Sequence, residues 1–355
     1  MTHTRHALVI GGGIAGPVAA MALQKAGIEA TVSEAHPRTA EGIGIFLTVA
    51  SNGIDALRSI DADGSVLAAG FPTPGILLCS GTGKQLGAAR AGLPLADGTT
   101  SHTLKRADLH TAIHQQATAR GIPVQHGKRL VDVEQAGDGV RALFDDGSEA
   151  TGDVLIGADG IHSAVRRHID PNAPAPTYVG LINLGGYAHG VPVDAEPASY
   201  TMIFGKRAFF GYALAPDGEV WWFANVPRAD EPARGQVEAT TAEEWQHELA
   251  ELYAEDAGPA VRLVQASDPN DIMPATPTHS LPHLPAWRRG RMARGPGDPG
   301  RAAAIHEDDR QQQTGHRTIR LPHQLEHATR PGRWPPASWE RGANLRGRLA
   351  PLGMV

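Results

Sequence analysis

A glycine-rich turn near the start of the chain constrains its fold more than any other feature. Residues 7–10 read Ala-Leu-Val-Ile, the pattern of a buried strand, and Gly11, Gly13 and Gly16 follow in the spacing G-x-G-x-x-G. In such a turn the first glycine permits a sharp bend and the second lets the backbone approach a pyrophosphate. The third allows the helix that follows to pack closely on the strand. The spacing therefore predicts a dinucleotide-binding loop.

A second strand and a carboxylate follow the predicted helix. Ile28, Ala30 and Val32 alternate with polar residues as a strand does, and Glu34 lies eighteen residues after Gly16. A carboxylate at that strand end can accept hydrogen bonds from ribose hydroxyls, while the helix N-terminus favours phosphate. Strand, loop, helix, strand and acid together predict a site for an adenine dinucleotide.

A secretion signal is the alternative reading of the same stretch. Residues 7–23 are almost wholly apolar and follow Arg5. Three consecutive glycines and Pro17 would disrupt such a helix, and no small-residue cleavage site precedes a polar segment. The strand pattern also continues beyond residue 23, so we favour the nucleotide loop.

Composition and charge limit the class of protein. The 355 residues are 41% hydrophobic and contain no apolar run of about 18 residues, so a membrane span is not expected. The only cysteine, Cys79, excludes an intramolecular disulfide and favours a cytoplasmic location. Residues 1–287 carry a net charge of −13 and residues 288–355 carry +7. The basic segment lacks interleaved aromatic residues, so we do not expect nucleic acid as a partner.

A second glycine turn follows another apolar strand at residues 153–156. It reads Gly-Ala-Asp-Gly-Ile-His-Ser-Ala-Val-Arg over residues 157–166 and again opens a helix. Asp159 can serve as the helix cap, which is the structural alternative to a cofactor contact. The pairing of this turn with the first loop, about 125 residues earlier, favours the cofactor.

The rest of the pattern indicates a mixed architecture. A helix is predicted over residues 104–119, and residues 121–160 read as a β-meander that begins with a strand at 122–124 and includes an Asp146-Gly147 hairpin. Residues 171–285 favour an antiparallel sheet rich in aromatic residues. One amphipathic helix in that region begins at a capping box formed by Thr241 and Glu244.

The ordered set of motifs resembles the class A flavoprotein monooxygenases, the single-component aromatic hydroxylases with the para-hydroxybenzoate hydroxylase fold. The resemblance rests on the opening loop with Glu34, residues 42–47, the Lys-Arg-Ala-Asp-Leu run at 105–109 and the turn at 157–166. It covers about residues 5–290. It implies an α/β fold with a Rossmann-like FAD-binding domain, whose mixed parallel sheet carries a β-meander, and an antiparallel-sheet substrate domain. We assign residues 1–72 and 101–170 to the former and residues 73–100 and 171–287 to the latter.

The resemblance also implies roles for individual residues. The opening loop and its terminal acid would hold the ADP half of FAD, the arginine would contact the linking portion of the flavin, and the Asp-Gly turn would serve FAD and the visiting nicotinamide cofactor. Two alternatives remain: the arginine as a surface charge, and Gly44 as a simple turn residue. The cofactor-binding residues predicted in this way are Gly11, Gly13, Ala15, Gly16, Glu34, Arg106, Asp159 and Gly160.

For the reaction, the resemblance implies that NADH or NADPH reduces FAD and that O2 then forms a flavin C4a-hydroperoxide. This species would hydroxylate an aromatic or polyketide-like small molecule. The aromatic-rich sheet would roof the substrate pocket, with Tyr187, His189, Tyr212 and Trp222 as candidates that could equally be sheet core or surface. No catalytic acid or base can be assigned. His110 and His114 lie one helical turn apart, but without a third ligand nearby we interpret them as a solvated helix face rather than a metal site.

The pattern of the family breaks after Met292. The family has a third motif here, Gly-Asp-x-x-His, then Pro, then Gly-x-Gly opening a helix, which seats the flavin ring. This chain has only a displaced Gly297-Asp298 pair, without an apolar strand before it, and residues 288–355 form an atypical segment. From Ala293 onward the composition is typical of disordered or out-of-frame sequence. We hypothesise a reading-frame shift, which translation of the DNA in the other two frames would reveal.

Two alternatives to a hydroxylase stay open at this point. One is a related flavin oxidoreductase such as a reductase or a halogenase, although Trp221-Trp222 does not match the halogenase motif. The other is a degenerate, non-catalytic protein that binds a flavin or another dinucleotide.

Overall fold

The structure is a computed structural model that describes residues 5–37, 44–233, 235–282, 288–289 and 292–294. Parallel and antiparallel sheets are combined with helices, which confirms the predicted mixed α/β fold class. None of the helices described is long and apolar enough to cross a membrane. The predicted Gly-Asp pair and the remainder of the atypical segment after Arg294 lie outside the described residues.

The strands fall into four sheets. In chain order they are β1 (His6–Ile10), β2 (Glu29–Ser33), β3 (Phe46–Val49), β4 (Phe71–Pro72), β5 (Gly75–Ser80), β6 (Gln85–Arg90), β7 (His102–Lys105), β8 (Val124–Gln125), β9 (Leu130–Ala136), β10 (Gly139–Phe144), β11 (Glu149–Gly152), β12 (Val154–Gly157), β13 (Thr177–Ala188), β14 (Ser199–Phe204), β15 (Phe209–Leu214), β16 (Val220–Pro227), β17 (Ile272–Ser280), β18 (Arg288–Arg289) and β19 (Met292–Arg294).

Most of the helices connect strands on the outside of these sheets. They are α1 (Ala15–Lys25), α2 (Ser51–Ser59), α3 (Asp63–Ala69), α4 (Arg106–Ala119), α5 (Ala164–Ile169), α6 (Gln236–Ala239), α7 (Ala242–Tyr253) and α8 (Ala260–Ala266), with a short 3₁₀ turn at Pro269–Asp271.

The first sheet has the order β18-β19-β12-β1-β2-β8, and β1 lies at its centre. Its strands from β19 to β8 run parallel, with Leu8 opposite both Leu155 of β12 and Thr31 of β2. Residues 7–10 are buried because helices and the β-meander cover the two faces, which is the usual situation of parallel strands. The apolar stretch at residues 7–23 is therefore a central strand and helix of this sheet, as the nucleotide-loop reading predicts.

Two sequence-based predictions need correction around this sheet. Leu104 and Lys105 belong to strand β7 rather than to the helix, which begins at Arg106. The predicted strand at 122–124 is not part of the meander, because Val124 pairs in parallel with Val32 at the edge of the first sheet. The meander itself consists of β9, β10 and β11, and Asp146-Gly147 forms the hairpin turn between the last two as predicted.

The described end of the chain adds a short strand. Met292–Arg294 pairs in parallel with β12, opposite Leu155, Ile156 and Gly157. A three-residue strand thus forms where the sequence suggested that the apolar strand of the third motif is missing. The strand runs beside β12 toward the carboxyl edge of the first sheet.

The second large sheet has the order β17-β13-β16-β15-β14-β5-β6. Its strands are antiparallel except for β5, which runs parallel to β14. Alternation along the strands sends one set of side chains under helices α7 and α8, and the other set toward β3 and β4. Strands β5 and β6 therefore belong to this sheet, although they precede the central helix α4 in sequence.

The predicted capping box at the start of α7 is present. The Thr241 hydroxyl accepts a hydrogen bond from the Glu244 N–H, and the Glu244 carboxylate accepts one from the Thr241 N–H. Trp245, Leu249 and Tyr253 then lie buried on one face of the helix against the second sheet. The cap fixes where this amphipathic face begins.

We predict that Thr241→Ala lowers the free energy of unfolding by about 1 kcal/mol, because the Glu244 N–H at the helix start loses its side-chain acceptor. Thr241→Ser keeps the hydroxyl and is the matched control. Urea unfolding measured by circular dichroism tests this, and equal losses for the serine and alanine variants would contradict it.

Candidate dinucleotide-binding site

The two glycine turns predicted from the sequence meet at the carboxyl ends of adjacent parallel strands. The Ala158 N–H donates to the Ile10 carbonyl at 2.7 Å, and the Gly11 N–H donates to the Ser33 carbonyl at 2.8 Å. A Cβ on Gly11 would lie 2.3 Å from the Ala158 oxygen, and Gly11 has a φ of +108°. Only glycine satisfies both conditions. Gly11 therefore closes the first turn against the second.

The remaining glycines of the first loop have different surroundings. A Cβ on Gly16 would lie 1.8 Å from the Gly11 carbonyl oxygen, so the helix contacts the turn at backbone distance. A Cβ on Gly13 would meet no atom within 4 Å. Helix α1 starts at Ala15 with no side-chain cap and no acidic residue in its first turn. Gly13 and the start of α1 thus border open space suited to an anionic group.

Glu34 is placed beside the loop by the end of β2. One carboxylate oxygen accepts a hydrogen bond from the Gly12 N–H at 2.6 Å, and the other accepts one from the His36 N–H at 2.8 Å. A Cβ on Gly12 would lie 2.7 Å from the Glu34 Cβ, which shows how closely the two elements approach. The acid is therefore held at the site by backbone donors, with lone pairs left for further donors.

Arg106 is the first residue of helix α4, and its side chain packs against Gly44. Its backbone N–H donates to the Ile45 carbonyl at 3.0 Å, and a Cβ on Gly44 would lie 2.5 Å from the Arg106 Cδ. Gly44 also has a φ of +83°, so it is a turn residue. Its lack of a side chain also makes room for the arginine. Burial lowers the pKa of the Arg106 guanidinium from its usual value. Arg106 is therefore a partly buried cation at the start of α4, packed against Gly44.

Asp159 caps the helix that follows the second turn. Its carboxylate accepts hydrogen bonds from the Ser163 hydroxyl at 2.5 Å and from the Ala164 and Val165 N–H groups at 2.7 and 3.1 Å. Gly160 next to it has a φ of +74°, the left-handed region that favours glycine. The capping role weighed from the sequence is thus present. Contact with FAD remains a prediction for Asp159 and Gly160.

The interpretation of His110 and His114 as a solvated helix face is wrong. His110 is 3% exposed, and its ring stacks on that of His114 with the centroids 4.0 Å apart. The His114 Nε2 lies 2.6 Å from the Gly12 carbonyl oxygen. Both histidines therefore face the glycine loop. The spacing of four residues placed them on one side of α4, but nothing in it identified that side as the inner one.

An aromatic layer covers the side of the second sheet that faces β3 and β4. Tyr187 and Trp221 are directly opposite each other on neighbouring strands, and both are buried. Phe46 of β3 lies 5.8 Å from the Trp221 ring, and Phe71 of β4 lies 5.2 Å from it. The Tyr187 hydroxyl donates to the Ile45 carbonyl at 2.8 Å. This layer connects the second sheet to the segment that Arg106 also contacts.

The other three candidate pocket residues lie elsewhere. Trp222 and Tyr212 are opposite each other but point under helices α7 and α8, because adjacent strand residues alternate between faces. The Trp222 indole donates to the Ser267 hydroxyl at 2.8 Å. His189 is exposed at the sheet end, with its Nε2 3.4 Å from the Glu219 carboxylate. Tyr187 alone among the four lies on the aromatic layer.

A charged pair that the sequence did not reveal joins β7, in the three-stranded sheet β3-β7-β4, to the residue just before β16 of the second large sheet. The Lys105 ammonium lies 2.9 Å from the Glu219 carboxylate and 4.2 Å from the centre of the Tyr187 ring. Glu219 also accepts a hydrogen bond from the Trp221 indole at 2.7 Å. The Glu219 side chain is 11% exposed, so solvent screens this pair less than the surface pairs. It closes one end of the aromatic layer.

The residues the structure describes form no cluster of three or more histidine, cysteine, aspartate or glutamate side chains able to hold a metal ion. The groups that lie at the glycine loop are instead backbone N–H groups, the Glu34 carboxylate and the His114 ring. Such groups match phosphate and ribose chemistry.

Comparison with protein families shows the family of the chain. The family described as "FAD binding domain" matches residues 4–268, which is about three quarters of the chain. The chain belongs to this family. The resemblance to class A flavoprotein monooxygenases and the prediction of FAD as cofactor are thereby confirmed, and NAD(P)H is the co-substrate typical of the family.

Named relatives in the FAD binding domain family carry oxygenation activities. The chain is 27% identical over 310 residues to a zeaxanthin epoxidase of Solanum lycopersicum, covering 80% of this chain and 43% of that protein. It is 28% identical over 288 residues to an aurachin C monooxygenase/isomerase of Stigmatella aurantiaca, covering 80% and 71%. The chain thus spans less than half of the epoxidase.

A solved structure similar to this chain contains FAD and uric acid. Klebsiella pneumoniae HpxO complexed with FAD and uric acid superposes with a TM-score of 0.70 at 27% identity. The match covers 82% of this chain and 72% of that one.

The described residues fit the ADP end of FAD. Gly13 leaves a space that a Cβ would fill, the start of α1 has no competing side-chain cap, and Glu34 stands at the end of β2. The sequence after Arg294, where the family seats the flavin ring, lies outside the described residues.

We predict opposite effects for alanine at two glycines of the loop. Gly13→Ala has space for its Cβ within the protein, so the melting temperature stays near that of the parent while affinity for FAD falls about tenfold or more. Gly16→Ala forces a methyl group against the Gly11 carbonyl and destabilises the fold by about 1–3 kcal/mol.

Thermal melts of the apoprotein and fluorescence titration with FAD measure the two effects separately. A Gly13→Ala variant that binds FAD as tightly as the parent would contradict the assignment of this space to the cofactor. Gly64→Ala, at another open glycine, is the control for substitution itself.

We also predict a pH effect on stability from His110. Burial and the neighbouring His114 lower the pKa of His110 below its usual 6.5, with a smaller contribution from the Arg106 charge; a hydrogen bond to the Gly12 backbone and the Glu34 charge act in the opposite direction. Below that pH the unfolded chain binds a proton that the folded chain resists, so this contribution to stability falls as pH decreases.

Melting temperatures at about pH 8 and about pH 5 test the effect, since these values bracket the usual histidine pKa. His110→Gln should lose less stability between them than the parent. His247→Gln, at an exposed histidine of α7, should behave as the parent. Identical pH dependence in the parent and the His110 variant would refute the prediction.

Proposed function

We propose that this chain is an FAD-dependent monooxygenase that hydroxylates an aromatic or polyketide-like small molecule with NAD(P)H and O2. The observation that carries the proposal is a series of contacts: His114 of α4 contacts the glycine loop, and Arg106 of the same helix contacts residues 44–46, which adjoin the aromatic layer. Gly44 contacts Arg106 on the cofactor side, whereas Ile45 and Phe46 contact Tyr187 and Trp221 on the other. A cofactor held at the loop would therefore extend toward an apolar, aromatic surface.

The activities of the relatives support this reaction class. One relative is named as an epoxidase, one as a monooxygenase/isomerase, and HpxO was solved with uric acid. All three names concern small organic molecules. We extend this to an electron-rich ring because a flat, mostly apolar ligand suits the layer formed by Phe46, Phe71 and Trp221.

Each part of the chain has a role in this proposal. The first sheet, with residues 1–72 and 101–170, holds FAD through Gly11, Gly13, Ala15, Gly16, Glu34, Arg106, Asp159 and Gly160, and the second sheet, with residues 73–100 and 171–287, holds the substrate. When bound, FAD supplies the redox chemistry that no side chain can provide.

The residues around the cofactor bind, orient and exclude water. The start of α1 and the Arg106 guanidinium supply positive charge for the phosphates, and Glu34 accepts hydrogen bonds from ribose. The aromatic layer orients the substrate and keeps water from the reacting atoms. Burial raises the pKa of Tyr187, so its hydroxyl stays protonated at neutral pH and continues to donate to Ile45.

We further propose a reducing, cytoplasmic location, because Cys79 is the only cysteine and has no partner within the chain for a disulfide. Burial raises the pKa of its thiol, which disfavours the reactive thiolate.

The test is oxidation of NADH and of NADPH by the purified, FAD-loaded chain, with and without candidate phenols, N-heterocycles and polyketides. The proposal predicts that one substrate class accelerates oxidation and that labelled oxygen from O2 appears in the product. Catalase and superoxide dismutase serve as controls for uncoupled oxidation.

Two results would replace the proposal. A chain that binds FAD and is reduced by NAD(P)H, but never incorporates oxygen, would be a related flavin reductase. A chain that binds ADP but retains no flavin would be a non-catalytic dinucleotide-binding protein.

A further inference from the structure

Helix α4 presents a row of three side chains to the cofactor site. Arg106, His110 and His114 are spaced by four residues, so they share one face of the helix. His110 is buried and stacks on His114 at 4.0 Å with the ring planes 24° apart. The last residue of the row contacts the glycine loop directly, as its Nε2 lies 2.6 Å from the Gly12 oxygen and 3.3 Å from the Gly13 oxygen.

The contact assigns a direction to the hydrogen bond. A carbonyl oxygen only accepts, so the Nε2 of His114 carries the proton and donates to Gly12. The N–H of the same residue, Gly12, is already held by the Glu34 carboxylate at 2.6 Å. Gly12 is thus hydrogen-bonded to two different elements. Its N–H donates to Glu34 at the end of β2, and its carbonyl accepts from His114 of α4.

The hydrogen bond to the Gly12 carbonyl determines the direction of the Gly13 N–H. The carbonyl and the N–H of one trans peptide point in opposite directions. Holding the Gly12 carbonyl toward His114 therefore turns the Gly13 N–H away from α4. Within the loop, a Cβ on Gly13 would meet no atom within 4 Å. No side chain caps helix α1, which starts two residues later.

We propose that His114 is a positioning residue for FAD binding, which fixes the Gly12–Gly13 peptide so that the Gly13 N–H is presented to the pyrophosphate. His110 supports it by stacking on its ring and by its own hydrogen bond to the Gly12 backbone. The inference concerns the ADP half of the cofactor, so it holds whether or not the chain hydroxylates a substrate. A glycine loop is conformationally permissive, and a donor that limits it to one peptide orientation lowers the entropy lost on binding.

Two substitutions separate this role from simple packing. His114→Leu introduces an apolar side chain of similar size and removes the hydrogen-bond donor. His114→Gln keeps an N–H at a position close to that of the imidazole Nε2. His247→Leu is the matched control, since His247 lies on α7 and its side chain is 79% exposed.

The experiment measures dissociation constants of FAD and of ADP for the full-length apoprotein, by flavin fluorescence and by calorimetry, with melting temperatures recorded alongside. We expect His114→Leu to weaken FAD and ADP by the same factor of about ten, the loss typical of one hydrogen bond to a fixed group. His114→Gln should stay within about threefold of the parent, and His247→Leu should match it.

Three results would overturn the inference. One is unchanged FAD and ADP affinity in His114→Leu. Another is equal weakening in the leucine and glutamine variants, which would mean that the ring packs but does not donate. The third is weakening of FAD without weakening of ADP. Should the leucine variant fail to fold, the glutamine variant decides through its ADP affinity relative to the parent.

Discussion

The structure depends on a backbone contact between two turns. Strands β1 and β12 lie side by side, and each ends in a glycine turn that opens a helix. The turns touch at Gly11 and Ala158, where there is no room for a side chain, and Gly16 brings helix α1 onto the same point. The Gly11 and Gly12 N–H groups are held by Ser33 and Glu34, whereas Gly13 and the uncapped start of α1 border open space that suits an anion. The Glu34 carboxylate and the His114 ring contact the loop beside that space.

A second constraint links this space to the rest of the molecule. Residues 44–46 lie between Arg106 and the aromatic layer, with Gly44 against the arginine and Phe46 among the rings. Ile45 is packed so closely that a Cβ on Gly185 of β13 would lie 2.5 Å from its side chain. The Lys105–Glu219 pair closes the same junction from one end. A change in residues 44–46 would therefore affect the cofactor side and the aromatic side together.

The features predicted correctly from the sequence were those that depend on local chemistry. Gly11, Gly16 and Glu34 occupy positions fixed by their spacing along one strand–helix–strand unit, and the Thr241–Glu244 cap is likewise local. The features that were missed depend on which face of an element turns inward. The spacing of His110 and His114 placed them on one face of α4, but it did not indicate which element packs against that face.

The same reason accounts for Trp222, which sequence could not distinguish from Trp221. A shift of one residue along β16 moves a side chain from the aromatic layer to the helix-covered core. Val124 was misassigned because a two-residue edge strand carries no periodicity of its own. Lys105 and Glu219 are more than a hundred residues apart, so only the tertiary fold brings them together.

The central claim is that residues described here bind the ADP portion of FAD. The most direct measurement is calorimetric titration of the purified apoprotein with ADP, FAD and riboflavin. We predict that ADP binds at one site per chain and competes with FAD, whereas riboflavin, which lacks the pyrophosphate and adenosine, binds far more weakly. Tight binding of riboflavin together with no binding of ADP would contradict the account.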